Sequence, residues 1–317
     1  MTDRRALRRC GRMAAGLLLM APLLGAETRD GIPTFGIDVE VVSLNLAITD
    51  PGGQHVADVT EQDVAVFENG VRQPLCLFTR ESWPITLSVL IDSSDSMNRA
   101  MPFVQAAARR LLKTLEPRDR AQVAQFSRRL RVLQDLTSDR SALEAAVDAV
   151  EVDGDTALYS SLYIALKELA APGRDGVPER RAVVVLSDGS DTASFVTDEQ
   201  VIETARKAQV SVYAIGFRDG RSAAPPRESL PTYFLTTLAR ETGGLVFFPS
   251  SLADLDGVYD RIARELRTLY GVAYVPSDPA LDGGWRRISV RTLRPNLLVR
   301  HRTGYYAAST SRLAARR

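Results

Sequence analysis

The chain is poor in the residues that carry most soft-metal and nucleophile chemistry. Among its 317 residues are two histidines, His55 and His301, and two cysteines, Cys10 and Cys76. The histidines have no neighbours at metal-ligand spacing, which excludes a histidine-rich zinc site. Cys10 lies in a segment expected to be removed, so Cys76 is left as the single thiol and no intrachain disulfide is expected. Cys76 sits in the apolar run 75–78 and reads as a buried core thiol. An excess of one charge is also missing. Forty basic residues stand against 39 acidic ones, a net of +1, so no general field attracts nucleic acid. The arginines within residues 128–131 read as a solvated face. Beyond the first 26 residues no apolar run is long enough to span a bilayer, so no transmembrane segment is expected in the mature chain.

The N-terminus is unlike the rest. Arg4, Arg5, Arg8, Arg9 and Arg12 form a positive head, residues 13–24 are apolar apart from Pro22, and Gly25-Ala26 offers small side chains for cleavage. That is the layout of a secretory signal over residues 1–26. The apolar run is shorter than the roughly 20 residues of a membrane span. Removing it leaves 35 basic against 38 acidic residues, a net of −3. The expected address is outside the cytoplasm: periplasm, cell surface or medium.

Residues 27–34 read as a linker. Over 35–82 the pattern is of strands, with Val39, Val41, Val42, Leu44, Leu46 and Ile48 alternating roughly with polar positions and Asn69-Gly70 as a hairpin dipeptide. From 83 to 269 apolar strands alternate with helical periodicity. Residues 85–91 and 182–186 are nearly continuous apolar runs, as in strands buried on both faces. Further strands are expected at 121–126, 131–136, 210–217 and 243–248. Helices are expected at 103–115, 141–150, 157–169, 198–207, 230–241 and 252–266, with a surface loop at 219–227. Over 270–307 the pattern returns to strands, at 272–275, 285–290 and 296–300, with Tyr305-Tyr306 in a terminal strand, and 308–317 reads as a disordered tail. The fold class is α/β: a doubly wound, mostly parallel sheet, inserted into a small flanking β domain built from both ends. Trp83 and Trp285 are expected in the core of that β domain.

Short oxygen-bearing side chains gather at three places. The strand 85–91 runs into Asp92-Ser93-Ser94-Asp95-Ser96-Met97, Gly154-Asp155-Thr156 opens a helix, and Ser187-Asp188-Gly189 ends the second apolar strand. In open α/β sheets ligands bind at the carboxyl ends of the strands, and the fold brings all three clusters to that edge. Hydroxyls and carboxylates without His or Cys suit a hard cation, Mg²⁺ or else Mn²⁺ or Ca²⁺. Ser94, Ser96 and Thr156 are candidates for direct ligands, and Asp92 and Asp188 for holding coordinated waters. The open coordination position then accepts a carboxylate from a protein partner. Each residue also has a local reading: Ser96 capping the next helix, Asp155 or Thr156 capping the one after, residues 191–194 as turn and cap, Met97 as packing.

The series Asp92-x-Ser94-x-Ser96, then Thr156, then Asp188 resembles the metal-ion-dependent adhesion site of von Willebrand factor type A domains, over residues 84–269. The wider chain resembles bacterial secreted relatives of that domain in Val59-Thr60-Glu61-Gln62-Asp63-Val64, Phe67-Glu68-Asn69-Gly70, Trp285-Arg286-Arg287-Ile288 and Gly304-Tyr305-Tyr306. The resemblance implies a doubly wound sheet and metal-dependent protein binding without catalysis. Two positions depart from it: Asp95 and Asp155 stand where glycine is common. With Asp153, Asp191 and Asp198 they either make an acidic metal face, favouring tighter cation binding or a ligand with basic groups beside its carboxylate, or point to solvent. Two other functions stay open. One is a metal-dependent phosphohydrolase using Asp92, although the second Asp expected two positions on is Ser94 and the motif holds no base. The other is a structural domain with a vestigial site.

Overall fold

The computed structural model describes residues 41–81, 83–170, 179–216 and 230–309. The expected signal and linker, the loop 219–227 and residues 310–317 of the expected tail lie outside the described residues.

The chain begins with antiparallel strands. In β1 (Val42–Thr49) the alternation puts Val42, Leu44, Leu46 and Ile48 inside and leaves Ser43 exposed. β2 (Val64–Glu68) and β3 (Val71–Gln73) form the hairpin announced by Asn69-Gly70. Both turn residues have positive φ, +48° and +86°, the conformation a two-residue hairpin turn demands and the reason glycine stands there. β4 (Leu75–Thr79) follows.

The central segment is a six-stranded sheet. β5 (Ile85–Asp92) is buried along its whole length. It pairs in parallel with β6 (Arg120–Phe126) on one side and β8 (Arg180–Ser187) on the other. β7 (Leu130–Thr137) closes one edge antiparallel to β6. β9 (Ser211–Gly216) and the short β10 (Val246–Phe247) extend the other edge in parallel. The order is β10-β9-β8-β5-β6-β7. The chain leaves β5 towards β6 and later returns to β8 on the opposite side, so the carboxyl end of β5 is a topological switch point.

Helices cover both faces: α1 (Met101–Lys113), α2 (Arg140–Asp148), α3 (Leu158–Leu169), α4 (Asp198–Ala208), α5 (Leu230–Thr242) and α6 (Leu255–Thr268). In β8, Ala182, Val184 and Leu186 join the core under α1, α2 and α6, while Val183 and Val185 join the core under α3, α4 and α5. The period of two along one strand thus feeds two separate cores. Leu162, fully buried in the second, is the kind of side chain whose truncation to alanine costs about 2–5 kcal/mol.

β11 (Tyr270–Tyr274) begins two residues after α6. It is followed by β12 (Trp285–Thr292), β13 (Leu298–Arg300) and β14 (Gly304–Tyr306). Two four-stranded sheets result, β13-β1-β11-β4 and β14-β12-β2-β3. Each combines strands from before and after the central segment, and their shared core holds Leu44, Leu46, Val66, Tyr270, Val272 and Ile288. Among the described residues no helix is long and apolar enough to cross a membrane.

Several expectations need correction. Trp83 is buried as expected, its ring lying where a Cβ on Gly271 would come within 2.7 Å. Trp285 is only half-buried: its ring meets Tyr306 edge-on and takes the Arg206 guanidinium of α4 on its face. It is a seam between β14 and a helix of the central segment, which strand periodicity alone does not reveal. Cys76 is half-buried rather than enclosed in the core, its Sγ lying 3.4 Å from the Ala273 carbonyl oxygen. The strand expected at 243–248 shrinks to two residues. Ser309 bridges to Asp282, so the expected tail starts too early at residue 308.

Candidate functional site

β5 delivers Asp92 to the switch point fully buried. Its Oδ1 accepts the Ser94 N–H at 2.9 Å and its Oδ2 accepts the Ser187 hydroxyl at 2.5 Å. The second bond exists because the parallel register sets Ile91 opposite Leu186, so the next residues of β5 and β8 meet side by side. Ser187 Oγ also accepts the Gly189 N–H. Burial pushes the Asp92 carboxyl up to about 6, against the hydrogen bonds from Ser187 and Ser94, and the nearby Asp188 carboxylate adds to the rise. Among the described residues no basic side chain figures among the main influences on it.

After Asp92 the chain turns into a single 3-10 turn, Asp95–Met97, with Met97 packed into the core. The turn holds the Ser94 and Ser96 hydroxyls 3.1 Å apart. Two oxygens at adjacent corners of an octahedron with metal–oxygen bonds of about 2.0–2.1 Å stand roughly 3 Å apart. The pair is therefore spaced as neighbouring ligands of one small cation would be.

The second loop is stitched to the first through backbone. Asp153 N–H donates to Ser93 O at 2.7 Å, Asp95 N–H donates to Gly154 O at 3.0 Å, and Gly154 N–H returns to Asp95 Oδ1 at 3.2 Å. Thr156 follows, nearly buried, and its carbonyl accepts the Thr192 and Ala193 N–H groups of the loop after β8. Asp188, half-exposed on that third loop, takes the Ser190 N–H on Oδ1. The structure thus joins Asp92, Ser94 and Ser96 by direct hydrogen bonds, sets Asp188 near enough to Asp92 for its charge to be felt, and carries Thr156 on a loop tied to the first through Asp153 and Gly154. Among the described residues, neither the Thr156 hydroxyl nor the Asp188 carboxylate hydrogen-bonds Ser94 or Ser96.

The local alternatives resolve differently. Ser96 does not cap α1, whose N-cap is Ala100, and neither Asp155 nor Thr156 caps α3, whose N-cap is Ala157. The first N–H groups of α3 are met from the third loop instead: Tyr159 N–H by Asp191 Oδ1 and Ser160 N–H by Ser194 Oγ. Residues 191–194 are cap chemistry, as expected, but for a helix 30 residues away in sequence. Asp95 is exposed yet braces Gly154, and Asp155 pairs with Arg128 at 2.8 Å in solvent. Ser187 is the residue whose role was not legible beforehand. Its only signal was a hydroxyl in the last position of an apolar strand.

The donor set is all oxygen. Among the described residues no group of three or more His, Cys, Asp and Glu side chains is placed to hold a metal. A cation at this edge would rest on hydroxyls and waters, with carboxylates behind them.

Comparison with known proteins agrees with this architecture. The von Willebrand factor type A domain matches residues 87–261. A UPF0353 protein of Mycolicibacterium vanbaalenii is 26% identical over 226 residues, covering 63% of this chain and 64% of that one. A UPF0353 protein of Mycobacterium marinum is 24% identical over 229 residues, covering 65% of each. The chain thus spans just under two-thirds of the length of these relatives. Among solved structures, a von Willebrand factor type A protein from Catenulispora acidiphila superposes with a TM-score of 0.50 at 15% identity, over 88% of this chain and 77% of that one. Proximal thread matrix protein 1 from the mussel byssus, with a zinc-occupied MIDAS motif, gives a TM-score of 0.50 at 19% identity, over 63% of this chain and 50% of that one. Such likenesses speak to the fold, a mostly parallel sheet between two helical layers. With more than half of its length matched by one domain family, the chain belongs to the von Willebrand factor type A domain family.

Proposed function

We propose that this chain is an exported, non-catalytic binding protein that captures a protein partner through a divalent cation at the carboxyl end of the central sheet. Ser94, Ser96 and Thr156 serve as direct ligands of Mg²⁺, with Mn²⁺ or Ca²⁺ as substitutes, while Asp92 and Asp188 orient its waters and balance its charge. When bound, the cation supplies an open electrophilic position for a carboxylate of the partner. Residues 83–269 form the binding domain, carried on a β domain from 35–82 and 270–307, with residues 1–26 as the export signal.

The observation that carries this reading is a pair of hydroxyls 3.1 Å apart beside a fully buried carboxylate that, among the described residues, is held by a hydroxyl and an N–H and not by a basic side chain. A buried charge without a counter-charge is costly, and a cation at this point offsets that cost. Hydrolysis is disfavoured because Ser94 occupies the place of a second acid and neither His nor Cys lies in the three loops.

The test follows thermal unfolding of the wild type and Asp92→Ala with added Mg²⁺, Mn²⁺, Ca²⁺ and Zn²⁺. Zinc belongs in the panel because the byssus protein holds it. The expected result is a cation-dependent rise in Tm in the wild type alone. Indifference of both proteins to every ion contradicts the metal site. A pull-down from envelope extract with and without EDTA then examines the partner, and the absence of any chelator-released protein contradicts the docking role.

A further inference from the structure

Phe195 is 96% exposed, more than any other large hydrophobic residue described. A single apolar side chain in water is ordinary; this one is distinguished by how firmly it is presented. Its N–H donates to Ser160 Oγ at 3.0 Å, Ser160 N–H donates to Ser194 Oγ at 2.9 Å, and Ser194 Oγ donates to Asp191 Oδ1 at 2.6 Å. Asp191 in turn takes the Tyr159 N–H. Phe195 is thereby clamped to the first turn of α3. Through the bonds from Thr192 and Ala193 to the Thr156 carbonyl, the same loop lies against a proposed cation ligand. An aromatic on a main chain already held in place has only its two side-chain torsions to lose when covered, which favours such residues as anchors.

The loops and the helix start at this edge carry negative charge. Asp95 and Asp153 are exposed on the side of the first two loops. Asp198 and Glu199 open α4 just beyond Phe195. Together with Asp191 they lie close enough to Tyr159 to disfavour its ionisation, in support of burial. Asp155 at this edge is already paired, with Arg128.

Resting on the metal-docking reading above, we infer that Phe195 is the apolar anchor of the partner site. The site takes an extended peptide segment in which one Asp or Glu, destined for the cation, is flanked by Lys or Arg and by an aliphatic or aromatic side chain that covers Phe195. The carboxylate alone would meet repulsion from the acidic edge. The basic neighbours remove it, and the apolar neighbour removes the Phe195 ring from water.

The probe is a displayed library of random heptapeptides, selected on the full chain in Mg²⁺ and eluted with EDTA. The expected yield is peptides that combine an acid with a basic and an apolar residue within three positions. A synthetic peptide of the winning sequence should bind Phe195→Ser about tenfold or more weakly, with Mg²⁺ affinity unchanged. It should bind the Asp198→Asn/Glu199→Gln double variant more weakly and with less dependence on salt. Chelator-sensitive peptides without a basic and apolar preference, or equal affinity for Phe195→Ser, overturn this inference and leave the metal site standing. No chelator-sensitive peptide from the wild type overturns both.

Discussion

At the amino end of the central sheet Asp119 is fully buried, takes the N–H groups of Ile85 and Glu116, and is ion-paired with Arg267 of α6. At the carboxyl end Asp92 is just as buried, takes one N–H and one hydroxyl, and among the described residues faces no basic side chain. The amino end goes on in the same way. Arg180, buried at the start of β8, donates to the carbonyls of Leu266, in the last turn of α6, and of Leu269 just after it, and Arg300 of β13 pairs with Glu265. Burial lowers the Arg180 guanidinium to about 10, so it remains charged at neutral pH. One end of the sheet thus closes its charges against protein partners and binds the β sheets to the helices. The other holds its buried carboxylate with one N–H and one hydroxyl, beside two hydroxyls paired with each other. The contrast teaches where to look for function: not at the buried acid as such, but at the buried acid without a cation.

The comparison can be broken at its strongest point first. Asp119→Ala leaves two backbone N–H groups without their acceptor and takes from Arg267 its buried carboxylate partner, and should cost about 3–5 kcal/mol in urea unfolding. A loss under about 1 kcal/mol would remove the contrast between the ends. Saturating Mg²⁺, at about a hundred times its Kd, should stabilise the wild type by about 2.7 kcal/mol, reversed by EDTA. Asp92→Asn, which keeps the shape but not the charge, should change the stability of the metal-free protein by less than about 1 kcal/mol and abolish the Mg²⁺ effect. If instead it destabilises the metal-free protein as Asp119→Ala does, Asp92 is structural.

A smaller effect concerns His301, between β13 and β14. Val290 N–H donates to its Nε2, so Nδ1 carries the proton and donates to the Arg302 carbonyl. Burial, with the Arg302 charge beside it, holds its pKa below the usual 6.5. The unfolded chain therefore binds a proton here before the folded one does. Stability from this group is present above pH 6.5 and is lost as pH falls through the lower folded value. Unfolding curves of His301→Gln and wild type across that window should show the flatter profile in the variant. Equal slopes would mean that His301 titrates alike in both states. The smallest expected effect is that of Phe195→Ser on stability, within about 0.5 kcal/mol, because the side chain is already in water.

What the sequence made legible was local. The apolar run of β5 ending at Asp92, the Asn69-Gly70 turn and the helical spacing of α1 and α3 each follow from neighbouring residues, and so did the three oxygen-rich clusters. What it hid depends on residues far apart. Ser187 meets Asp92 only through the β5–β8 register, and Asp191 and Ser194 cap α3 from another loop. Arg180 and Asp119 read as ordinary charged residues until the fold encloses them. Trp285 looked like core because aromatic strand residues usually are, and the half-exposed seam with Arg206 needed the packing of α4. The exposure of Phe195 had no signal at all, since an aromatic in a turn is more often covered.

The central claim is that hydroxyls, not a carboxylate cage, hold the cation. Calorimetric titration of Mg²⁺ into the wild type, Thr156→Val and Ser96→Ala tests it most directly, because Thr156→Val keeps the side-chain shape while deleting one oxygen. The account predicts one saturable site in the wild type and at least a tenfold loss of affinity, about 1.4 kcal/mol, in each variant, with their unfolding midpoints in EDTA unchanged. Equal affinity in all three proteins would contradict it.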